Sequence, residues 1–237
     1  MFMNISVIVP TFNEAATIEK TLDAISRLVN VDEIIIVDGG STDKTQEIVE
    51  SYTIKKPLQL IKTEFANRGK QLHEGTKHAT GEIFWFIHAD TRPMQGSGRQ
   101  IKAFMKYKEV NGGHFQIIFN DKSRWARFLT WYYTYLEHAG MIYGDAAIFV
   151  RREKYEKVGG FKPYPIFSDV DLCKKLMKKG RFMLIPLPVT VSSRRFQQKG
   201  MAWGFTGWAI IQGLHRLGIP SKYLIRFYQP SKQISDD

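Results

Sequence analysis

The sequence predicts an α/β fold: a mostly parallel central sheet flanked by helices, with a C-terminal helical extension. Three observations predict it. Strand-like and helix-like stretches alternate through the first half of the chain. The strand-like stretches are nearly unbroken apolar runs, as expected of parallel strands covered on both faces. Three of those runs end in turns that carry acids or glycines, the place where ligands bind in such sheets.

Ile5–Pro10 is a short β-branched run that reads as a buried strand. Ile18, Leu22, Ile25 and Val29 then fall on one helical face. Glu33–Val37 is the second strand, ending at Asp38-Gly39-Gly40-Ser41, with Ser41 placed to cap a helix carrying Ile48 and Val49. Leu58–Lys62 is the third strand, and a polar helix follows from Asn67 to Ala79. Ile83–Ile87 is the fourth, stopping at His88-Ala89-Asp90. The second half is less regular. Gly112–Phe119 and Ala147–Val150 read as strands, and Trp125–Leu136 as a strongly aromatic helix. From Asp169 to Lys179 a helix turns Val170, Cys173, Leu176 and Met177 inward and Lys174, Lys175, Lys178 and Lys179 to solvent. Lys199–Leu217 is apolar around most of a helix. It either packs on the domain or on a second subunit, or meets a membrane interface through its tryptophans and flanking cations. The expected division is a main α/β domain over 1–195 and a helical extension over 196–237.

Composition narrows the function. With 237 residues, 43% hydrophobic and 24% charged, the chain is neither disordered nor collagen-like. A single cysteine, Cys173, excludes an intramolecular disulfide framework and any zinc site built on several cysteines. The formal charge of +11 favours anionic partners: nucleic acid, an anionic membrane, or phosphorylated small molecules. Met1–Pro10 lacks the basic and apolar regions of a signal peptide. No window reaches the ~18–20 consecutive apolar residues of a spanning helix. The expectation is a soluble, cytoplasmic protein able to touch a membrane.

Three acidic constellations carry chemistry. Asp38, at a strand end beside glycines that admit a ligand, can accept hydrogen bonds from a base or ribose. Asp43 reads as a complement to the helix dipole. There is neither a GxGxxG fingerprint nor a P-loop. At His88-Ala89-Asp90, a carboxylate can bind a hard divalent cation and an imidazole can assist. Ser168-Asp169-Val170-Asp171 opens a helix and has two readings. Ser168 caps while the acids complement the dipole, or one acid is a general base. Asn67-Arg68-Gly69-Lys70 and Ser192-Ser193-Arg194-Arg195 supply phosphate-pairing cations.

In order and spacing these pieces resemble an inverting family 2 glycosyltransferase with the GT-A, Rossmann-like fold. The resemblance runs over roughly residues 4–195, through Val9–Glu14, Val37–Asp43, Arg68–Gln71, Phe86–Thr91, Tyr143–Asp145, Val158–Phe161 and Ser168–Leu172. The variant His-Ala-Asp-Thr with the later Ser-Ser-Arg-Arg is similar to a bacterial subgroup labelled arsenosugar-biosynthesis glycosyltransferases. The resemblance implies a nucleotide-sugar donor, an acceptor hydroxyl and Mg²⁺ or Mn²⁺. It places Pro10, Glu14, Asp38, Gly39, Arg68, Lys70, Ala89 and Asp90 around the donor, with Asp38 facing a uracil edge. Asp90 matches the metal-binding acid of the DXD motif, and Asp169 the catalytic base. Two departures stand out. His88 replaces the first acid of DXD, which permits a weaker site or a different metal preference. Ser168 replaces the glutamate before the base, where Asp171 is the nearest substitute.

Two rivals make different predictions. A nucleotidyltransferase on a similar scaffold would release pyrophosphate. A non-catalytic basic module would bind anionic membrane or nucleic acid, the latter with strong salt dependence. On the glycosyltransferase reading no nucleic acid is expected, and an oligomer is compatible with the sequence.

Overall fold

The computed structural model describes residues 3–164, 166–193 and 201–227. Among these described residues eight strands form one sheet, in the order β3-β2-β1-β4-β7-β6-β8-β5. They are β1 (Ile5–Thr11), β2 (Glu33–Asp38), β3 (Leu58–Lys62), β4 (Ile83–Phe86), β5 (Thr91–Pro93), β6 (Val110–Phe119), β7 (Phe149–Arg151) and β8 (Arg181–Val191). The first four pair parallel to one another, and β6 pairs parallel to β8. β7 runs antiparallel between β4 and β6, and β5 runs antiparallel on β8. Every residue of β1 and β4 is buried, which is why both appear in the sequence as unbroken apolar runs. Pro10 lies within β1, opposite Val37. The β1–β4 ladder stops at Ile8, so the amide hydrogen that proline lacks has no strand to serve there.

The helices are α1 (Ile18–Ser26), α2 (Thr45–Ser51), α3 (Arg68–His78), α4 (Ser97–Phe104), α5 (Arg124–His138), α6 (Arg152–Lys157), α7 (Ser168–Met177), α8 (Met201–Arg216) and α9 (Ser221–Leu224). Among large side chains, Trp85, Phe115 and Phe149 are fully buried, and Trp85 stacks on Phe115 at 5.5 Å between centroids. The Trp85 indole donates to the Ala147 carbonyl, so its polar atom is satisfied in the core. Ile18, Leu22 and Ile25 face inward as predicted. Val29 does not: α1 ends at Ser26, and Val29 is 60% exposed while Leu28 and Val31 take the buried positions. β5, β8, α4 and α6 have no counterpart in the sequence reading.

The expected terminal helix appears as α8 and packs by one face. Phe205 meets Phe128 and Tyr132 of α5 at 5.0 and 4.9 Å, and the Tyr132 hydroxyl donates to Gln212. Further along, Trp208 and His215 stack on Phe167, the residue just before α7. Among the described residues no helix is long and apolar enough to cross a membrane.

Where α5 packs on β6, His114 Nδ1 lies 3.9 Å from Glu137 Oε1, both side chains being buried. Burial pushes Glu137 up to about 7 from 4.5 and His114 down to about 4 from 6.5. Between pH 4.5 and 7 the unfolded chain has released the Glu137 proton and the folded chain keeps it, so this group makes stability fall as pH rises. Between pH 4 and 6.5 the unfolded His114 is protonated and the folded one is not, so this group makes stability rise with pH. The two slopes oppose each other in the overlap. Glu137→Gln removes one of them. Its stability relative to wild type is expected to improve by about 2–3 kcal/mol between pH 4.5 and 8. Urea unfolding across that range measures it, and parallel wild-type and variant profiles would refute the assignment.

Candidate active site

The loops after β1 and β2 are joined around Asp38. Its side chain is fully buried. Oδ1 accepts from the Gly40 and Ser41 amides and from Gln46 Nε2, at 3.2, 2.8 and 2.7 Å. Oδ2 accepts from the Thr11 and Ser41 hydroxyls at 2.9 and 2.5 Å. A carboxylate offers about four lone-pair positions, so these donors fill it. Ser41 thus serves Asp38 and does not cap α2. That helix begins at Thr45 behind Lys44, with no side-chain cap. Ser41 Oγ also accepts the Asn13 amide, and Asn13 Oδ1 accepts the amides of Thr42 and Asp43. Glu14 lies in the turn that leads into α1, where its carboxylate accepts from the hydroxyl of Thr17, the residue just before the helix, at 2.7 Å.

Helix α3 fixes the ends of both strands from below. Gln71 Nε2 donates to the carbonyls of Thr11 and Val37, each at 2.8 Å. Gly39 fits beneath this amide: a Cβ there would lie 3.0 Å from Gln71 Nε2 and 2.9 Å from Ala66 Cα. Asn67 caps α3 by accepting the Lys70 amide, which places half-buried Arg68 and exposed Lys70 on its first turn. Gly69 then lets this turn meet α7, since a Cβ at Gly69 would lie 3.0 Å from Ser168 Oγ. Ser168 is the first residue of α7, and the N-cap position belongs to Phe167 with φ 64°. The reading in which Ser168 caps the helix therefore fails.

Asp169 is 7% exposed. Its Oδ2 accepts the Gly144 amide at 2.5 Å and its Oδ1 accepts the Val170 amide at 2.9 Å. Burial, with the nearby Asp169 charge, pushes the Tyr143 hydroxyl upward. Asp171 instead pairs with Lys175 one turn along α7 at 2.5 Å. On the other side of Gly144 is His88. A Cβ at Gly144 would lie 2.5 Å from His88 Nε2 and 3.1 Å from Asp169 Oδ2. His88 Nδ1 lies 2.7 Å from Asp145 Oδ1. Ala89 is held by the Thr21 hydroxyl on its carbonyl, and half-buried Asp90 follows at the rim.

Hydrogen bonds run from Asp38 through Thr11 to Gln71, α3 approaches Ser168 closely at Gly69, and Gly144 lies between Asp169 and His88. Residues distant in the chain meet along the carboxyl ends of β1, β2 and β4. Arg194 and Arg195 lie outside the described residues. Asn13, Gln46, Gln71, Gly144 and Asp145 were given no role from sequence. Gln71 and Tyr-Gly-Asp stood in the matching motifs, and their spacing was the one available signal.

Residues 6–168 match the family described as Glycosyl transferase family 2. The chain belongs to that family. It is 38% identical over 96 residues to glucosyl-3-phosphoglycerate synthase of Mycobacterium tuberculosis, a match covering 36% of this chain and 28% of that enzyme. The family 2 chain therefore spans well under two thirds of that relative's length. Among solved structures it is similar to the mannosyltransferase PcManGT from Pyrobaculum calidifontis in complex with GDP-Man and Mn²⁺. The TM-score is 0.65 and the identity 26%, covering 78% of this chain and 56% of that one. S. aureus TarS with UDP-GlcNAc shares the fold, with TM-score 0.64 and 19% identity over 81% of this chain and 59% of that one. The α/β architecture is the GT-A fold of these neighbours.

Proposed function

We propose that this family 2 protein is an inverting glycosyltransferase that moves a sugar from a nucleotide-sugar donor, UDP-linked, to an acceptor hydroxyl. The carrying observation is that Gln71 ties the ends of β1 and β2 together beside Gly39, and that Gly144 lies between His88 and Asp169. Asp169 removes the acceptor proton. The hydroxyl oxygen bonds to the anomeric carbon from the face opposite the nucleotide. The bond to the diphosphate oxygen breaks, its electron pair leaves with the nucleotide, and configuration inverts. Arg68 and Lys70 pair with phosphate oxygens, while Pro10, Glu14, Gly39 and Ala89 shape the nucleotide pocket. Asp38 acts through the loop it holds, since direct contact with a base would need one of its internal donors to let go.

The residues present fit a divalent cation. His88 Nε2 is buried without a hydrogen-bond partner among the described residues, and Asp90 supplies a carboxylate two residues on. Among the described residues no group of three or more such side chains gathers as a metal site, so most positions on the cation would fall to diphosphate oxygens and water. When bound, Mg²⁺ or Mn²⁺ would neutralise charge on the leaving diphosphate. PcManGT, with its GDP-Man and Mn²⁺, supports a nucleotide-sugar donor and a cation, while its guanine base leaves uracil to be tested.

Residues 1–195 form the catalytic part on this reading, and 196–237 an extension. We infer a cytoplasmic enzyme that touches an anionic membrane through this extension and α5. Trp131, Tyr135, Ile210 and Leu217 are 62, 56, 56 and 82% exposed, and no acid occurs between Asp171 and Asp236. The arsenosugar subgroup is a proposed context, resting on the sequence of His88–Thr91 with Ser192–Arg195.

Thermal-shift titration with UDP- and GDP-sugars, with and without Mn²⁺, tests the donor. A metal-enhanced rise with a UDP-sugar is expected. A rise with GDP-sugars alone refutes the uracil assignment, and no rise with any nucleotide sugar refutes the function. Cosedimentation with phosphatidylserine vesicles, lost in Trp131→Ser/Leu217→Ser, tests the membrane contact. Failure of the wild type to pellet would remove it.

A further inference from the structure

Asp145 has no part in the reaction described above, yet it holds the one residue that departs most from the DXD pattern. It sits in the short 3-10 turn Gly144–Ala146, and its Oδ1 lies 2.7 Å from His88 Nδ1. The two side chains are 15% and 6% exposed. A carboxylate facing Nδ1 keeps the proton on that nitrogen and leaves a lone pair on Nε2. Nε2 is buried and has no hydrogen-bond partner among the described residues. A buried acceptor left in this state requires an explanation. A histidine kept only for packing would be expected to satisfy both nitrogens. Here one meets an acid and the other lies beside Gly144, whose amide donates to Asp169. Gly144 supplies no side chain to press on it, since a Cβ at that residue would lie 2.5 Å from Nε2.

We propose that Asp145 is a positioning residue that presents His88 Nε2 as a nitrogen ligand to the donor-diphosphate cation, and that this pair makes the protein favour Mn²⁺ over Mg²⁺. The proposal rests on the transferase reading. Mg²⁺ strongly prefers oxygen ligands, whereas Mn²⁺ accepts an imidazole beside carboxylate and phosphate. An acid behind a ligating imidazole fixes the ring and raises its basicity. Such partners are typically worth about 10–100-fold in metal affinity. Exchange of an acid for His88 in the motif therefore changes the cation preferred, with Asp145 as the compensating residue. Asp145 does not touch the metal and acts through the ring alone.

Pulsed EPR on Mn²⁺ bound with UDP, and in parallel with GDP, reads this without turnover. Wild type should show imidazole nitrogen coupling to Mn²⁺, absent in His88→Ala. Asp145→Ala should weaken Mn²⁺ binding about 10–100-fold. Asp145→Asn, whose amide oxygen still accepts the Nδ1 proton, should recover part of the loss. His88→Asp should shift the Mn²⁺/Mg²⁺ affinity ratio about tenfold toward Mg²⁺. Thermal midpoints report folding for each variant. If Asp145→Ala fails to fold, Asp145→Asn and His88→Asp still decide the matter. No nitrogen coupling in wild type with either nucleotide overturns the proposal. So does a selectivity ratio unchanged in His88→Asp, or Mn²⁺ affinity unchanged in a folded Asp145→Ala. Nucleotide-sugar binding that persists alongside any of those results leaves the transferase reading standing. Its absence from wild type brings down both.

Discussion

Asp169→Asn is expected to lower turnover about 10²–10⁴-fold, the usual range for losing a general base, while nucleotide-sugar affinity stays within about threefold. The side chain keeps its shape. One oxygen of the amide can still accept from the Gly144 or Val170 backbone, both of which now donate to the carboxylate. On the proposed mechanism, what is lost is the capacity to take a proton from the acceptor hydroxyl. The second measurement is the thermal midpoint, which separates lost chemistry from lost structure. Gly144→Ala should reproduce much of the defect without touching either functional side chain. The added methyl would lie 2.5 Å from His88 Nε2, 2.8 Å from its Cε1 and 3.1 Å from Asp169 Oδ2. His88 must then move and Asp169 must give by a few tenths of an ångström, and small displacements at a reacting centre are costly, on the order of 10²-fold for about 1 Å. Near wild-type turnover in Asp169→Asn would remove it from the base role. Near wild-type turnover in Gly144→Ala would show that the space between the two side chains is not used.

The parts of this fold that could be read from sequence are those whose signal is local. β1, β2 and β4 are buried on both faces, so composition alone marks them. α3 carries its own start, Asn67, which accepts the Lys70 amide as a capping residue should. β8 gives no such signal. Its burial alternates irregularly, and Pro186 and Pro188 argue against a strand. The sheet accommodates them by a register shift, with Phe115 opposite Ile185 and Gln116 opposite Pro188. β5 is three residues long, too short for any periodicity. The same division holds at the site. Asp38, His88 and Asp169 stand where strands end or a helix begins, and they are visible as such. Gln71 and Asp145 act on partners 60 and 57 residues away, and no window of sequence contains both ends of those bonds. Ser41 differs from its sequence reading for a local reason. It has the chemistry of a cap, but a buried acid three residues earlier competes for its hydroxyl and wins.

That acid gives the largest stability effect expected in this chain. Asp38→Ala should destabilise the fold by about 3–5 kcal/mol, read by urea unfolding at neutral pH. The cost does not come from a missing contact with solvent-exposed groups, because Asp38 is fully buried. It comes from what is left behind. The Gly40 and Ser41 amides, the Gln46 amide and the Thr11 and Ser41 hydroxyls all lose their acceptor. A buried donor without a partner costs about 1–3 kcal/mol, and some of these can turn toward water once the loop loosens, which is why the total falls below the simple sum. The loop that loosens is the one holding Ser41 against Asn13 and, through Gly39 and Gln71, the ends of β1 and β2. Donor affinity should therefore fall together with stability. Asp38→Asn separates the two roles. Its single acceptor oxygen can keep some of the five bonds, while its NH₂ group faces donors that repel it. If Asp38 reads the nucleotide directly, Asp38→Asn should lose donor affinity with little loss of stability. If it holds the loop, stability and affinity should decline in step, with Asp38→Asn between wild type and Asp38→Ala.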